Sequence, residues 1–568
     1  MVSQPRGALE ASASALPISV AARSVGQLAP SMTAARAHWC DLCHTPLLQT
    51  RCGTCGRAGR VVSTANMRPV FAAEIKLLRR FGLPIDLVRA TDLALWEAAG
   101  RYYLNGSLVA RARYGNGGGA VSLDVAAGVR IQCARMGGPT ARLASFVAAN
   151  EATLVALEHE ACGFIEDVFR HYPNRLPLVS FSGGKDSTVV SHLVERAVGR
   201  RDIIHLFADT GIEMPDTYAF LAEFRRRHPA IPLLHISPAN SFFELCREIG
   251  PPSRIQRWCC STQKAAPLGA TIGALAAAGG VLTFDGIRSA ESARRSRYER
   301  LSAATKVGQE ILASPILAWS DLAVWAYTLW RGLPTNQAYK KGFKRVGCLY
   351  CPLNSLWSEA LFSLLYAREH ARWQEVLRSS ALGMGHPDPD QFARESWRVR
   401  AGGRGLSHDR ASIASAPCDA RPDRVAYSLS RDWDDCFWAY LAGLGKVRIV
   451  RDDGTVVLAQ LDTRDGDVAC TFRVVRPRRR LEVTYGKVRY ARLLRQRVER
   501  QIRKFQSCVR CGACSAVCPV GAISVNAVFH VDPDRCTRCL KCVSLNCVAV
   551  ESLTLKGKRS EVGAGKCQ

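Results

Sequence analysis

Twenty-three cysteines stand in this 568-residue chain, and sixteen of them fall into sets of closely spaced pairs. Cys40, Cys43, Cys52 and Cys55 form a C-x2-C-x8-C-x2-C run. The adjacent pair Cys259-Cys260 is followed far along the chain by Cys348 and Cys351. Cys508, Cys511, Cys514 and Cys518 precede Cys536, Cys539, Cys542 and Cys547. Repeated Cys-x-x-Cys pairs in a long chain read as metal ligation and not as a disulfide scaffold, which points to a reducing cytoplasm. The remaining seven cysteines (133, 162, 246, 418, 436, 470 and 567) are singletons, readable as packing residues.

Composition limits the rest. The length predicts three to five domains, and 48% apolar residues suffice for packed interiors. Lys plus Arg number 77 against 49 acids, a net charge of +28 that favours polyanionic partners: nucleotides, nucleic acid or an acidic protein. No uninterrupted apolar run reaches the length of a membrane span; residues 268–283 come closest but are Ala-rich and broken by glycines.

Residues 1–37, rich in Ala, Ser and Pro, read as a flexible leader, with a cleaved signal the weaker alternative. Residues 38–65 hold the first cysteine set. Residues 66–145 combine an apolar helical stretch (75–87) with strand-like pieces and a Gly-rich turn at 115–119, as in a small α+β or β-rich domain. From Glu151 on, Leu154, Leu157, Phe164, Ile165, Val168 and Phe169 recur at helical spacing. Short apolar runs at 176–181, 203–208, 233–236 and 281–284 then alternate with helical segments such as 189–198 and 215–228. Such alternation predicts an α/β domain over 146–380, a doubly wound parallel sheet with helices on both faces. A helix from Asp321 has Ser320 as its N-cap and Gly332 past its end. Residues 381–428 read as a linker or loop. Residues 429–505 read as a basic β-rich and helical segment, with alternation over 447–475 and 13 basic residues against two acids over 473–504. Residues 506–552 form the cysteine-rich end, and 553–568 a tail.

Ser182-Gly183-Gly184-Lys185-Asp186-Ser187 lies between an apolar strand and a helix. At the carboxyl edge of a parallel sheet, such a turn lets backbone N–H groups and the positive helix end face an anion. Lys185 adds charge, and Ser182 and Ser187 add hydroxyls. Asp186 repels phosphate, so it orients the loop or holds a metal such as Mg²⁺. The plain alternative is a capping turn without a ligand. Three further segments follow in order: Phe207-Ala208-Asp209-Thr210-Gly211 with Pro215, Thr217 and Tyr218; Gly286-Ile287-Arg288 with Glu291, Ser292 and Arg294; and Pro315, Trp319, Val324, Trp325, Tyr327, Leu333, Pro334 and Asn336. Together these resemble the phosphoadenosine/adenosine phosphosulfate reductase branch of the PP-loop adenosine-nucleotide superfamily, over roughly residues 150 to 360. The resemblance implies that Ser182, Gly183, Gly184, Ser187, Asp209, Thr210 and Gly211 contact an adenosine nucleotide. It implies that Lys185, Asp186, Arg288 and Arg294 serve catalysis at its anionic end. For Asp209 the alternative is a turn carboxylate, and for Arg288 and Arg294 a solvated charged face.

Cys259, Cys260, Cys348 and Cys351 resemble the [4Fe–4S] ligand set of reductases that use adenylyl sulfate, with zinc or unligated packing thiols as alternatives. Lys264 stands where that family has a lysine beside the cluster, whereas Gln263 replaces its usual arginine. The block C-x2-C-x2-C-x3-C-P at 508–519 resembles two-cluster bacterial ferredoxins, whose fourth cysteine crosses to the other cluster. The ligand sets implied are Cys508, Cys511, Cys514 and Cys547, and Cys536, Cys539, Cys542 and Cys518. The second block departs from the pattern, with four residues before Cys547 and no proline after it. The N-terminal set suits tetrahedral Zn²⁺, with a rubredoxin-like iron the alternative.

A nucleotide domain beside two ferredoxin-type clusters leads to a sulfonucleotide reductase-like enzyme acting on adenylyl sulfate or phosphoadenylyl sulfate, served by an electron-donor protein. Two departures point elsewhere. The glycine turn is closer to PP-loop enzymes that cleave ATP, and the reductases' C-terminal nucleophilic Cys tail has no counterpart around Cys567. The second reading is therefore an ATP-dependent sulfur-transfer enzyme acting on tRNA or DNA, with Arg476 and Arg478 to Arg480 as phosphate contacts. A purely electron-transferring scaffold is the third.

Overall fold

The computed structural model describes residues 36–84, 92–114, 121–126, 138–254, 256–277, 279–303, 310–399, 414–418, 421–429, 432–463, 466–476, 479–488, 490–525, 528–545 and 547. The Gly-rich turn at 115–119, most of the leader and the tail with Cys567 lie outside them.

The α/β domain is built on six strands in the order Leu233–Ile236, Ile204–Ala208, Leu176–Ser180, Val281–Phe284, Glu310–Ala313 and Leu301–Ser302. All pair in parallel except the last, which closes the edge antiparallel. The first strand in sequence, Leu176–Ser180, is central, with His205 opposite Val179 on one side and Thr283 opposite Leu178 on the other. The chain leaves it toward one side and later returns to the other, so the loop after Ser180 opens at the switch point of the sheet, where ligands bind in such folds.

Periodicity explains the helix that supports this sheet. It runs over Pro139–His171, earlier than the apolar spacing from Glu151 predicts, with Pro139 in its first turn. Phe146, Leu154, Ala161, Ile165 and Val168 face inward. Glu158 joins it to its neighbours by pairing with Arg196 (2.8 Å) and Arg331 (2.5 Å).

Smaller units adjoin the domain. A three-stranded sheet (Thr45–Leu47, Ala37–Cys40, Arg60–Ser63) carries the first cysteines and rests on the long helix, where the Gly53 N–H donates to the Ala149 carbonyl at 2.9 Å. A side chain at Gly53 would meet that oxygen at 2.9 Å, so this approach requires glycine. A five-stranded antiparallel sheet spans Met67–Pro69 to Val121–Val125. Buried Arg68 binds Glu74 and Glu97 in it, and Lys344 of the α/β domain reaches the same Glu97.

Residues 381–428, expected as a linker, hold more structure than their composition implies. The helix Ala367–Gly383 enters this segment, Pro389–Arg394 is helical, and Phe392, Ala393 and Trp397 are buried in the core. Ala414–Cys418 and Arg421–Ser428 are strands of a six-stranded antiparallel sheet completed by Arg480–Tyr485, Val468–Val475, Val456–Asp462 and Lys446–Asp452. A few apolar anchors outweigh a polar, Gly- and Arg-rich background. The helix Ala491–Ser507 packs Val498, Ile502 and Phe505 into that sheet's core and leads into the C-terminal cysteines. No helix among the described residues is long and apolar enough to cross a membrane.

Candidate functional site

The turn after the central strand is shaped by its glycines. Gly183 adopts φ +70°, and Gly184 is the N-cap of the helix Lys185–Val198. The Ser187 hydroxyl donates to the Gly184 carbonyl (2.9 Å) and accepts from the Ser182 N–H (3.2 Å). The Lys185 N–H is capped by the Tyr339 hydroxyl at 3.3 Å, and Asn336 donates to the Gly183 carbonyl at 3.3 Å. Gly286 lets the segment after Val281–Phe284 lie against this turn: a Cβ there would sit 2.9 Å from the Asp186 carbonyl carbon.

Lys185 and Asp186 meet Arg288 in a nearly buried tetrad completed by Asp321. Lys185 Nζ lies 2.8 Å from Asp186 and 2.9 Å from Asp321, while Arg288 lies 2.6 Å and 2.9 Å from the same two carboxylates. Burial alone would lower the Lys185 pKa, but Asp321 and Asp186 outweigh it and hold the ammonium above its ordinary value. Burial likewise opposes ionised Asp186, and Lys185 with Arg288 overcomes it and keeps that carboxyl below the usual range. Two cations and two carboxylates leave the tetrad neutral. Arg294 stands outside it, exposed.

The segment after Ile204–Ala208 is built as a turn. Asp209 accepts from the Gly211 N–H and the Tyr218 hydroxyl, each at 2.8 Å, and His235 approaches its other oxygen at 3.1 Å. Thr210 donates to Glu213 at 2.9 Å. Glu213 pairs with Cys348 in an isolated antiparallel bridge, and the Leu349 N–H donates to the Ile212 carbonyl at 2.7 Å. The Cys348 sulfur lies 3.5 Å from Thr210 Oγ1 and 3.6 Å from Glu213 Oε1. One cysteine of the second set is thus stitched to the turn expected to hold a nucleotide.

The other three converge on it. Cys259 precedes a π-helical turn, Cys260–Ala265, a distortion common at functional sites. The Cys259 thiol is raised by its contact with Cys260, by burial, and by the fields of Cys348 and Cys351. Burial raises Cys348 and Cys351, and Cys260 adds to the latter. Neighbouring thiols that oppose one another's ionisation are a set that a cationic group would stabilise. Lys264 is exposed, and its field favours ionisation of Cys348 and Glu213.

Two hollows occupy the C-terminal module. Cys508, Cys511, Cys514 and Cys547 line one; Cys518, Cys536, Cys539 and Cys542 line the other. Both groupings cross the two sequence blocks as expected. Burial pushes Cys511 up to about 12, with Cys547, Cys514 and Cys508 adding to it. Arg510 and Arg538, before the second cysteine of each block, both take φ 50°, a left-handed conformation that turns backbone amides toward an anionic group. The helix Ala513–Ala516 packs on Cys260–Ala265 and Ala266–Ala276, and Asn240 reaches the Val509 and Arg510 carbonyls at 3.5 Å. The first hollow therefore sits against the element carrying Cys259 and Cys260.

Cys40, Cys43, Cys52 and Cys55 bring their sulfurs within 4.8 Å of one another, with Cys40 to Cys55 at 3.5 Å. Among the described residues this is the one such group contracted enough for a single ion. In the basic segment, Arg476, Arg479 and Arg480 are paired with Asp452, Asp432 and Glu482; Arg478 lies outside the described residues.

Reading along the chain missed Asp321, Glu213 and Tyr339. Asp321 follows a serine N-cap and looks like a first-turn acid. Glu213 and Tyr339 carry no local motif at all.

Residues 176–354 match the phosphoadenosine phosphosulfate reductase domain, and residues 505–524 the 4Fe-4S binding domain. An uncharacterized protein of Methanocaldococcus jannaschii is 36% identical over 235 residues, 41% of this chain and 48% of that protein. The chain thus spans about half the length of that relative. The adenosine 5'-phosphosulfate reductase of Geobacillus sp. (strain WCH70) is 25% identical over 189 residues, 32% of this chain and 75% of that enzyme. The phosphoadenylyl-sulfate reductase structure from Candida auris is 17% identical, with a TM-score of 0.27, over 34% of this chain and 95% of that one.

Proposed function

We propose, on the premise that residues 176–354 are a phosphoadenosine phosphosulfate reductase domain joined to a 4Fe-4S binding module, that the chain reduces an adenosine phosphosulfate to sulfite. The observation that carries this reading is continuity. The first C-terminal hollow rests on the Cys259–Cys260 element, and Cys348 of that set is bridged to the Asp209-Thr210-Gly211 turn.

The cysteine sets fit their groups. The N-terminal four have the close spacing of tetrahedral Zn²⁺ ligands. The other three sets, more widely spread, suit [4Fe–4S] clusters, two in the C-terminal module and a third beside the nucleotide turn. Such clusters supply electrons singly, and two are needed per sulfuryl group. Ser182, Gly183, Gly184 and Ser187 bind the phosphosulfate, and Thr210 and Gly211 orient the nucleoside. Lys185 and Arg288, released in part from Asp186 and Asp321, neutralise the anion, and Lys264 stands between it and Cys348. In the overall step the sulfur–oxygen bond to the phosphate breaks. The phosphate leaves as the adenosine monophosphate, and two electrons convert the sulfuryl sulfur to sulfite. The repeated Cys-x-x-Cys pairs, read as metal ligands, support a cytoplasmic site of action.

A second reading, ATP-dependent sulfur transfer to nucleic acid, draws on the intact Ser-Gly-Gly-Lys-Asp-Ser turn, which also suits Mg²⁺ held by Asp186. The pairing of Arg476, Arg479 and Arg480 with carboxylates weakens its basic patch. Anaerobic protein with reduced viologen and adenylyl sulfate should release sulfite and AMP. Absence of both, with ATP-to-AMP turnover and salt-sensitive RNA or DNA binding instead, would transfer the assignment to the second reading.

A further inference from the structure

We infer that Lys504 is a shared counter-charge for the two C-terminal clusters and sets their reduction potentials. The inference rests on the reading that those cysteines hold clusters. Lys504 lies near the end of the helix Ala491–Ser507 and is only 5% exposed. It lines the first hollow together with Cys508, Cys511, Cys514 and Cys547. The same helix packs on Lys541–Ser544, which carries Cys542 of the second hollow. The ammonium thus stands at the first set, on a helix in contact with the element that carries a ligand of the second.

Its surroundings explain why an anion is required. Among the described residues Lys504 has no ion-pair partner, and its ring contact is Phe529, with Nζ 4.7 Å from the centroid. The other buried lysine among the described residues, Lys185, is held by two carboxylates. A buried ammonium without a compensating charge is strongly unfavourable. A cluster held by four thiolates is anionic and gains one more negative charge on reduction, so net nearby charge is one of the determinants of its potential. A fixed cation between two such groups stabilises the reduced form of each. Arg510, Arg538 and Lys541 stand inside the cysteine blocks but none of them is buried; the buried cation comes from the helix Ala491–Ser507.

The test uses the full chain prepared anaerobically, with Lys504→Gln and Lys504→Arg, in redox titrations followed by electron paramagnetic resonance. At the potential where the wild-type C-terminal clusters are half reduced, Lys504→Gln should show a roughly tenfold lower ratio of reduced to oxidised cluster. That is a fall of about 59 mV for a one-electron couple. Lys504→Arg should keep the wild-type potentials, and the signal assigned to the Cys259 set should not move. Iron and sulfide content guards against misassembly: loss in the Gln variant with retention in the Arg variant also supports a charge requirement. Unshifted C-terminal potentials in a fully loaded Lys504→Gln protein would overturn the inference. So would equal loss of iron in both variants, which marks a packing role. A wild-type chain without C-terminal cluster signals would instead sink the iron–sulfur reading beneath it.

Discussion

Asp321→Ala removes one carboxylate from the tetrad and leaves Lys185 and Arg288 sharing Asp186. Lys185 and Arg288 are 4% and 5% exposed, Asp321 is 20% exposed, and both lost contacts measure 2.9 Å. Removing one partner of a buried ion pair costs about 3–5 kcal/mol, because the other charge stays in a low-dielectric site. The partial exposure of Asp321 places the expectation near the lower end, about 3 kcal/mol. Trp319 and Trp325 flank the substitution and are each 1% exposed. Hydrogen exchange of the helix Asp321–Trp330 in rising denaturant reports the relevant transition in a multidomain chain. The double variant Lys185→Met/Asp321→Ala should lose less than the sum of the single losses, since the stranded ammonium is gone. The variant tetrad is left with net positive charge, so adenylyl sulfate should restore more stability to Asp321→Ala than to wild type. A loss under about 1 kcal/mol, or strict additivity in the double variant, would refute the description of this site as a mutually compensating set.

Gly286→Val should abolish nucleotide-induced thermal stabilisation, because its side chain meets the Asp186 backbone from 2.9 Å; a normal melting shift would show that the turn can yield. Replacing Lys185, Gly183 and Gly184 with bulkier neutral residues should eliminate adenylyl sulfate binding by calorimetry, and retained binding would remove the nucleotide assignment. Cys43→Ala should release one metal equivalent by elemental analysis while iron stays constant; unchanged metal content would exclude the N-terminal site. His205 is buried, bonded to Ser191 at 2.7 Å, and held down to about 4 by burial. The unfolded chain, with an ordinary imidazole near 6.5, then binds more protons over that interval. Stability should fall by roughly 3 kcal/mol as pH drops from about 6.5 to about 4. Phe at 205 should flatten that slope, and an unchanged slope would assign it to other groups.

Legibility followed sequence distance. The glycine turn, the Cys-x-x-Cys loops and the helical period of Leu154, Ile165 and Val168 depend on neighbours within a few residues, so their residue types carry the instruction locally. The parallel sheet was readable for the same reason, since each of its strands is a short apolar run between helices. The segment 381–428 was not: Phe392 and Trp397 are too sparse to form a period, yet both are buried in a core shared with the preceding helix Ala367–Gly383.

The site divides along the same line. Residue chemistry and spacing pointed to Lys185 and Asp186 in the glycine turn, and the resemblance to the reductase and ferredoxin families added Arg288 and the three cysteine sets expected to hold iron. Tertiary folding decided that Asp321 closes the tetrad, that Cys348 is stitched to Glu213, and that the helix Ala513–Ala516 seats on the Cys259–Cys260 element. Apart from the Arg288–Asp321 pair, these contacts join residues more than a hundred positions apart. Their free energy comes from burial and charge compensation, which exist only once separate elements exclude water from between them.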